Sequence, residues 1–282
     1  MKLRVNGSSK TVLAIFLALV VWWIFIAVNG LIDTDNNYWY GIVEGLLPCV
    51  AAFFGFANAR QWGGFKSAMG KAVNLLSIGL LTWGIGTVIF GYYNIVLQIP
   101  VPYPSLADAF YIISWPLWAV GMIYLSRATG AQFQLSTLLG RSMLFLIPIL
   151  TIIGSYYVLI IVARQGTLGL TEDLLTDFFD LAYPIGDIVI LTIALLIFGL
   201  SFKYLGGFFK WACIIILAGF VLNYIGDFSF VYLTTQGTYF VADWVDLIYT
   251  VAFFCLSFGV TLMDPRSYNT NEKRRAPELN SL

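Results

Sequence analysis

The sequence predicts an all-α, polytopic membrane protein of eight transmembrane helices, and three observations carry that expectation. Eight apolar runs, each close to the roughly 20 residues that cross a bilayer core, take up most of the 282 residues. Only 11% of the residues are charged, against about 25% in a soluble domain. The basic residues also fall in alternate connections rather than evenly. Closed β-barrel strands would read as roughly 10-residue alternating segments. These runs are longer and apolar on all sides, as helices that satisfy their own backbone in lipid must be.

The first run, 11–28, follows a short basic stretch, as a signal peptide does. No small-x-small cleavage site follows Val28 convincingly, so the run is expected to stay as a helix. The second, 39–57, carries Glu44 and Pro48, and the third, 72–93, carries Trp83 and ends at Tyr93. Runs four and five, 106–126 and 142–163, contain Pro116 and Pro148, each expected to kink its helix. The sixth, 178–200, holds Asp180, Pro184 and Asp187. The seventh and eighth, 211–232 and 240–262, hold Asn223 with Asp227, and Asp243 with Asp246.

Orientation follows from the basic residues, which collect in short cytoplasmic loops. With the N-terminus inside, the cytoplasmic segments hold Lys2, Arg4 and Lys10; Arg60, Lys66 and Lys71; Arg127 and Arg141; Lys203 and Lys210; and Arg266, Lys273, Arg274 and Arg275. Arg164 alone lies outside. The expected organisation is a cytoplasmic tail at 1–10, a transmembrane domain at 11–262 and a second cytoplasmic tail at 263–282, too short for a catalytic domain. The lipid bilayer of the cell (inner, cytoplasmic) membrane is the first expected partner.

Composition removes several functions. Without histidine the chain lacks the commonest general base, metal ligand and near-neutral switch. Zero net charge offers no nucleic-acid surface, and no Gly-rich phosphate cradle with its lysine is present. No lysine lies within a predicted helix to hold a retinal. Cys49, Cys213 and Cys255 are odd in number, without Cys-x-x-Cys spacing, and are expected to be free core thiols. No cofactor and no catalytic residue is expected, and the sequence leaves a metal undetermined.

Ionisable groups inside a membrane segment are costly and mark a site by default. Glu44, Asp108, Asp180, Asp187, Asp227 and Asp246 all fall in the outer half of the predicted helices. Three of them open an Asp-x-x-Tyr pattern, Asp108 with Tyr111, Asp180 with Tyr183 and Asp246 with Tyr249. Residues three apart share a helix face, so each helix can present a carboxylate and a phenol together. Asn223 and Asp227 share a face likewise. Pro48 and Pro184 each stand four residues after an acid and free the carbonyls of Glu44 and Asp180. These oxygens suit a cation or an amine. Acid spacings of 64, 72 and 66 residues hint at a helical hairpin repeated four times. A bland reading competes with the site: acids at helix N-termini complement the helix dipole, and tyrosine is enriched at membrane interfaces.

The strings Trp83-Gly-Ile-Gly86, Val101-Pro-Tyr-Pro-Ser-Leu-Ala-Asp108 and Asp180-Leu-Ala-Tyr-Pro-Ile-Gly-Asp187 resemble the multi-pass sensory membrane region ahead of diguanylate cyclase and cyclic-di-GMP phosphodiesterase domains in bacterial signalling proteins. Tyr93, Gly226-Asp227, Asp243 and Asp246 extend the likeness, which covers the third to the eighth helix. It implies a sensory input role whose ligand is generally not established. No such output domain follows the eighth helix here, so a sensor is expected to act on a separate cytoplasmic signalling partner, with the Glu272-Lys-Arg-Arg275 tail as one contact.

The leading expectation is thus a membrane sensor or receptor-like module taking a small cationic or polar ligand from the outer side. A transporter of such a solute is the alternative. A remote third is an intramembrane aspartyl protease, because Ile185-Gly-Asp187 and Ile225-Gly-Asp227 approach the Gly-x-Gly-Asp motif of that class but lack its first glycine.

Overall fold

The computed structural model describes residues 5–129, 138–167, 173–201 and 210–266. These residues form helices and no strand: α1 Gly7–Val28, α2 Asp35–Gln61, α3 Ala68–Tyr92, α4 Leu106–Thr129, α5 Leu138–Ser155, α6 Leu174–Ser201, α7 Lys210–Gln236 and α8 Trp244–Leu262. Short π-helical segments extend α3 (Tyr93–Leu97) and α5 (Tyr156–Ala163). All eight helices are long and apolar enough to cross a membrane.

Most helices outrun their apolar stretches, because local polar groups satisfy the orphan N–H groups at their starts. Asn6 accepts from the Ser9 N–H at 2.7 Å, and Ser67 accepts from that of Gly70 at 2.9 Å. The Asn37 side chain reaches back to the Thr34 N–H at 3.2 Å. The eighth helix departs from expectation in the other direction. It starts at Trp244 and not near 240, because Asp243 caps it through the Val245 N–H and Ala242 turns the chain with a φ of 66°. Lys10, Lys71 and Lys210 also fall inside helices, contrary to the expectation that no helix carries lysine, but all three lie near helix starts.

Antiparallel packing of α2, α3 and α4 makes one tight layer, and α7 with α8 makes a second. The layers join where α8 packs on α1, α2 and α3 and where α6 packs on α4. Glycine permits the closest approach. A Cβ at Gly84 would lie 2.6 Å from the Gly45 carbonyl oxygen, so α2 and α3 touch backbone to backbone. Between lipid and a bundle interior there is little hydrophobic difference, so close packing of this kind holds membrane helices together. α1 and α5 sit at the periphery and leave faces such as Val21, Val28, Phe145 and Ile153 exposed.

Chain direction alternates, so Lys10, Arg60, Lys66, Lys71, Arg127, Arg141, Lys210 and Arg266 gather at one end of the bundle. Lys2, Arg4, Lys203 and the 272–275 basic run lie outside the described residues. Polar contacts close this basic end. Asn6 Nδ2 donates to the Thr261 carbonyl at 2.8 Å, and the Trp62 indole N–H donates to that of Met263 at 2.9 Å. All three cysteines are free.

Candidate functional site

At the opposite end, where α2, α4, α6 and α8 begin, the helices enclose a cavity of about 750 Å³. Asp33, Tyr103, Thr167 and Tyr239 from the connecting loops reach its lining. Among the described residues each of the four connections at this end has a non-glycine residue in the left-handed region: Asp33, Gln98, Gln165 and Ala242. Such conformations cost free energy and persist only where surrounding contacts hold them.

The six acids singled out in the sequence, Glu44, Asp108, Asp180, Asp187, Asp227 and Asp246, all line this one cavity. Tyr111, Tyr183 and Tyr249 line it too. Asn223 does not, but it donates through Nδ2 to Asp227 Oδ2 at 2.6 Å and so fixes a lining residue. Dipole complementarity and capping explain part of the pattern. Asp108 accepts from the Ser105 N–H at 2.7 Å, and Asp246 accepts from that of Ala242 at 2.5 Å. That explanation does not reach Glu44, Asp187 and Asp227, which lie within their helices and are buried, at 6%, 5% and 8% exposed.

The acid and phenol of each Asp-x-x-Tyr pattern share the cavity, but the hydrogen bonds run between elements and not within a pair. Tyr183 on α6 donates to Asp108 on α4 at 2.5 Å, and Tyr249 on α8 donates to Asp227 on α7 at 2.7 Å. Tyr111 is directed to Thr87 at 3.4 Å. Loop phenols serve the remaining members, Tyr103 donating to Asp180 at 3.1 Å and Tyr239 to Asp246 at 3.1 Å. Thr250 donates to Glu44 Oε1 at 2.8 Å and itself lies 2.6 Å from the buried Tyr40 hydroxyl. The other Glu44 oxygen makes no hydrogen bond among the described residues. Asp187 and Asp227 lie close enough to feel each other's charge.

Several site residues were missed in the sequence. Arg164, placed alone outside by its position, pairs with Asp180 at 3.3 Å, with both side chains largely buried. Tyr103 lies in the Val101-Pro-Tyr-Pro string, where a signal existed; Tyr239, Thr250 and Asn94 carried none. Among the described residues the Asn94 amide nitrogen, in a residue that lines the cavity, is buried without a partner.

The two rim phenols report the local electrostatics. Burial raises the Tyr103 pKa above that of an ordinary phenol; Asp180 and then Asp108 push it further, and Arg164 pulls it back. Tyr239 is raised by burial first and then by Asp246, Asp243 and Glu44. The cavity floor is aromatic. Trp83 and Phe253 line it with ring centroids 5.2 Å apart, and Trp118 lies beneath, 5.5 Å from Trp83 and 5.5 Å from Phe220.

Among the described residues no group of three or more acid or cysteine side chains is placed to hold a metal ion. Carboxylates beside aromatic rings can hold an organic cation by charge and by the ring quadrupole. No family model matches the chain, and neither a curated protein nor a solved structure does, so the likeness to the cyclase-linked sensory region rests on the quoted residues alone.

Proposed function

We propose that the chain is a multi-pass receptor module of the cell membrane, both termini cytoplasmic, whose acidic cavity takes a small organic cation from outside. Binding there is passed to a cytoplasmic partner through the helices that line the cavity. The observation that carries this reading is the convergence of six acids from α2, α4, α6, α7 and α8 on one cavity, at the end away from the basic loops. Ligand contacts with five helices at once supply the differential binding that a two-state bundle needs. The orientation rests on the bias of Lys and Arg to the cytoplasmic side.

A transporter remains the second reading, favoured by the Pro48 and Pro184 helices that border the cavity. The packed floor of Trp83, Trp118, Phe220 and Phe253 speaks for a closed pocket. The aspartyl protease reading is weaker. Asp187 and Asp227 do meet, but both Asp227 oxygens already accept, from Asn223 and Tyr249, which suits a held structural acid better than one activating water.

Choline tests the binding, because a quaternary ammonium cannot cross a bilayer as a neutral base. Purified chain in nanodiscs is expected to bind choline by calorimetry, and Glu44→Gln is expected to weaken that binding about tenfold, as loss of one charge-assisted contact does. Sealed proteoliposomes are expected to show no choline accumulation above empty vesicles. Saturable uptake would favour the transporter, and absence of binding would overturn the cationic pocket.

Orientation has its own check. After removal of the native cysteines, Thr238→Cys in intact cells is expected to react with a membrane-impermeant maleimide, and Lys66→Cys only after permeabilisation. The reverse pattern would invert the topology. Both positions are exposed, one at each end of the bundle.

A further inference from the structure

The two halves of the bundle correspond residue by residue around the cavity. Glu44 with Pro48 on α2 matches Asp180 with Pro184 on α6, an offset of 136. Gly79 and Gly86 on α3 match Gly219 and Gly226 on α7, an offset of 140. Asp108 and Tyr111 on α4 match Asp246 and Tyr249 on α8, an offset of 138. Packing follows the same correspondence. A Cβ at Gly86 would lie 2.7 Å from the Tyr111 ring, and one at Gly226 would lie 2.7 Å from the Tyr249 ring. Seven residues back, Gly79 receives Trp118, and Gly219 receives Leu256. Between halves, α2 packs on α8 and α6 packs on α4. These matches fit a unit of four helices occurring twice, where acid spacing alone suggests a two-helix hairpin.

This correspondence organises the acids into two matched pairs. Exchanging the halves carries Glu44 with Asp246 into Asp180 with Asp108. Each pair borders its own rim phenol: Tyr239 feels Asp246 and Glu44, and Tyr103 feels Asp180 and Asp108. Each pair also has an acid at the start of its helix that accepts from the preceding turn, through Ala242 or Ser105. Glu44, 94% buried in α2, directs a carboxylate into the cavity with one oxygen making no hydrogen bond among the described residues. Trp83, Tyr111, Tyr249 and Phe253 supply further lining, all aromatic.

We propose that the ligand is an organic dication, a flexible α,ω-diammonium that sets one ammonium on Glu44 and Asp246 and the other on Asp108 and Asp180, its methylene chain running over the aromatic faces. The proposal rests on the cationic-pocket reading above and adds the ligand class. A single ammonium on Glu44 and Asp246 leaves Asp108 and Asp180 with Arg164 as counter-charge, one positive charge for two carboxylates. Arg164 already draws on Asp180, so the Glu44–Asp246 side is the stronger of the two.

The test compares 1,4-diaminobutane, 1,6-diaminohexane and 1,8-diaminooctane with butylamine, hexylamine and octylamine on the purified full chain in nanodiscs. One diamine is expected to bind at least about tenfold tighter than the monoamine of equal length, with an optimum at one chain length. Glu44→Gln is expected to bring that diamine down to about the monoamine affinity, and Asp108→Asn to do so less completely. If a variant is not monodisperse, the wild-type length series decides. Equal binding of diamines and monoamines, alongside choline binding, overturns the dication and leaves the cationic pocket standing. Absence of binding by every amine and by choline overturns both.

Discussion

Gly84→Ala is expected to destabilise the bundle by about 1–3 kcal/mol, the usual cost of overpacking a tight contact, although it adds a single methyl group. That methyl would lie 2.6 Å from the Gly45 carbonyl oxygen and 2.5 Å from Cys49 Sγ. A side-chain tip can swing aside, but a carbonyl oxygen moves only if α2 and α3 separate. Separation also loosens Glu44, one residue before Gly45, so the variant is expected to lose choline binding together with stability. Gly154→Ala on α5 is the control, since a Cβ there meets nothing within 4 Å. It should be neutral or gain up to about 1 kcal/mol from better helix propensity. Thermal midpoints by size-exclusion of detergent-solubilised protein measure both. Equal midpoints for the two variants would mean that α2 and α3 are not in backbone contact.

Trp118→Ala is the second large effect, expected to cost about 3 kcal/mol, at the low end for a buried aromatic. The low end applies because a helix set free in lipid does not expose the indole to water, so the loss is one of packing contacts. Trp118 is 1% exposed and sits against Gly79, Trp83, Phe220 and Phe253. Trp83 and Phe253 form the cavity floor and would lose their support, so cation affinity should fall although Trp118 does not line the cavity. Trp118→Phe keeps an aromatic ring there and is expected to recover most of both. Loss of stability with cation affinity unchanged would separate the floor from the site.

The helices were legible because crossing a bilayer demands a long apolar run, which composition alone displays. Ends were less legible: Asp243 stops α8 through one local hydrogen bond, in a stretch that hydropathy would have continued. Candidate site residues could be found because an acid inside an apolar run is a local anomaly. Their partners could not. Tyr183 finds Asp108 from 75 residues away and Thr250 finds Glu44 from 206 away, and no spacing rule spans such distances. Arg164 looked solitary for the same reason. Acid spacing shows a related limit: it does not register that Gly86 and Gly226 each receive a tyrosine ring, Tyr111 and Tyr249, from the following helix.

The sequence by itself determined that the chain is helical, that eight segments suit a membrane, and that the acids inside those segments lie toward the end opposite most of the bases. Each follows from short-range constraints: backbone groups satisfied within a helix, and charge excluded from hydrocarbon. Only the tertiary structure decided that six acids share one cavity, that phenols and threonine hold them across helices, and that an aromatic floor lies beneath. These depend on which faces of distant helices meet, and close packing at glycine contacts selects those faces in a chain whose segments are apolar all round.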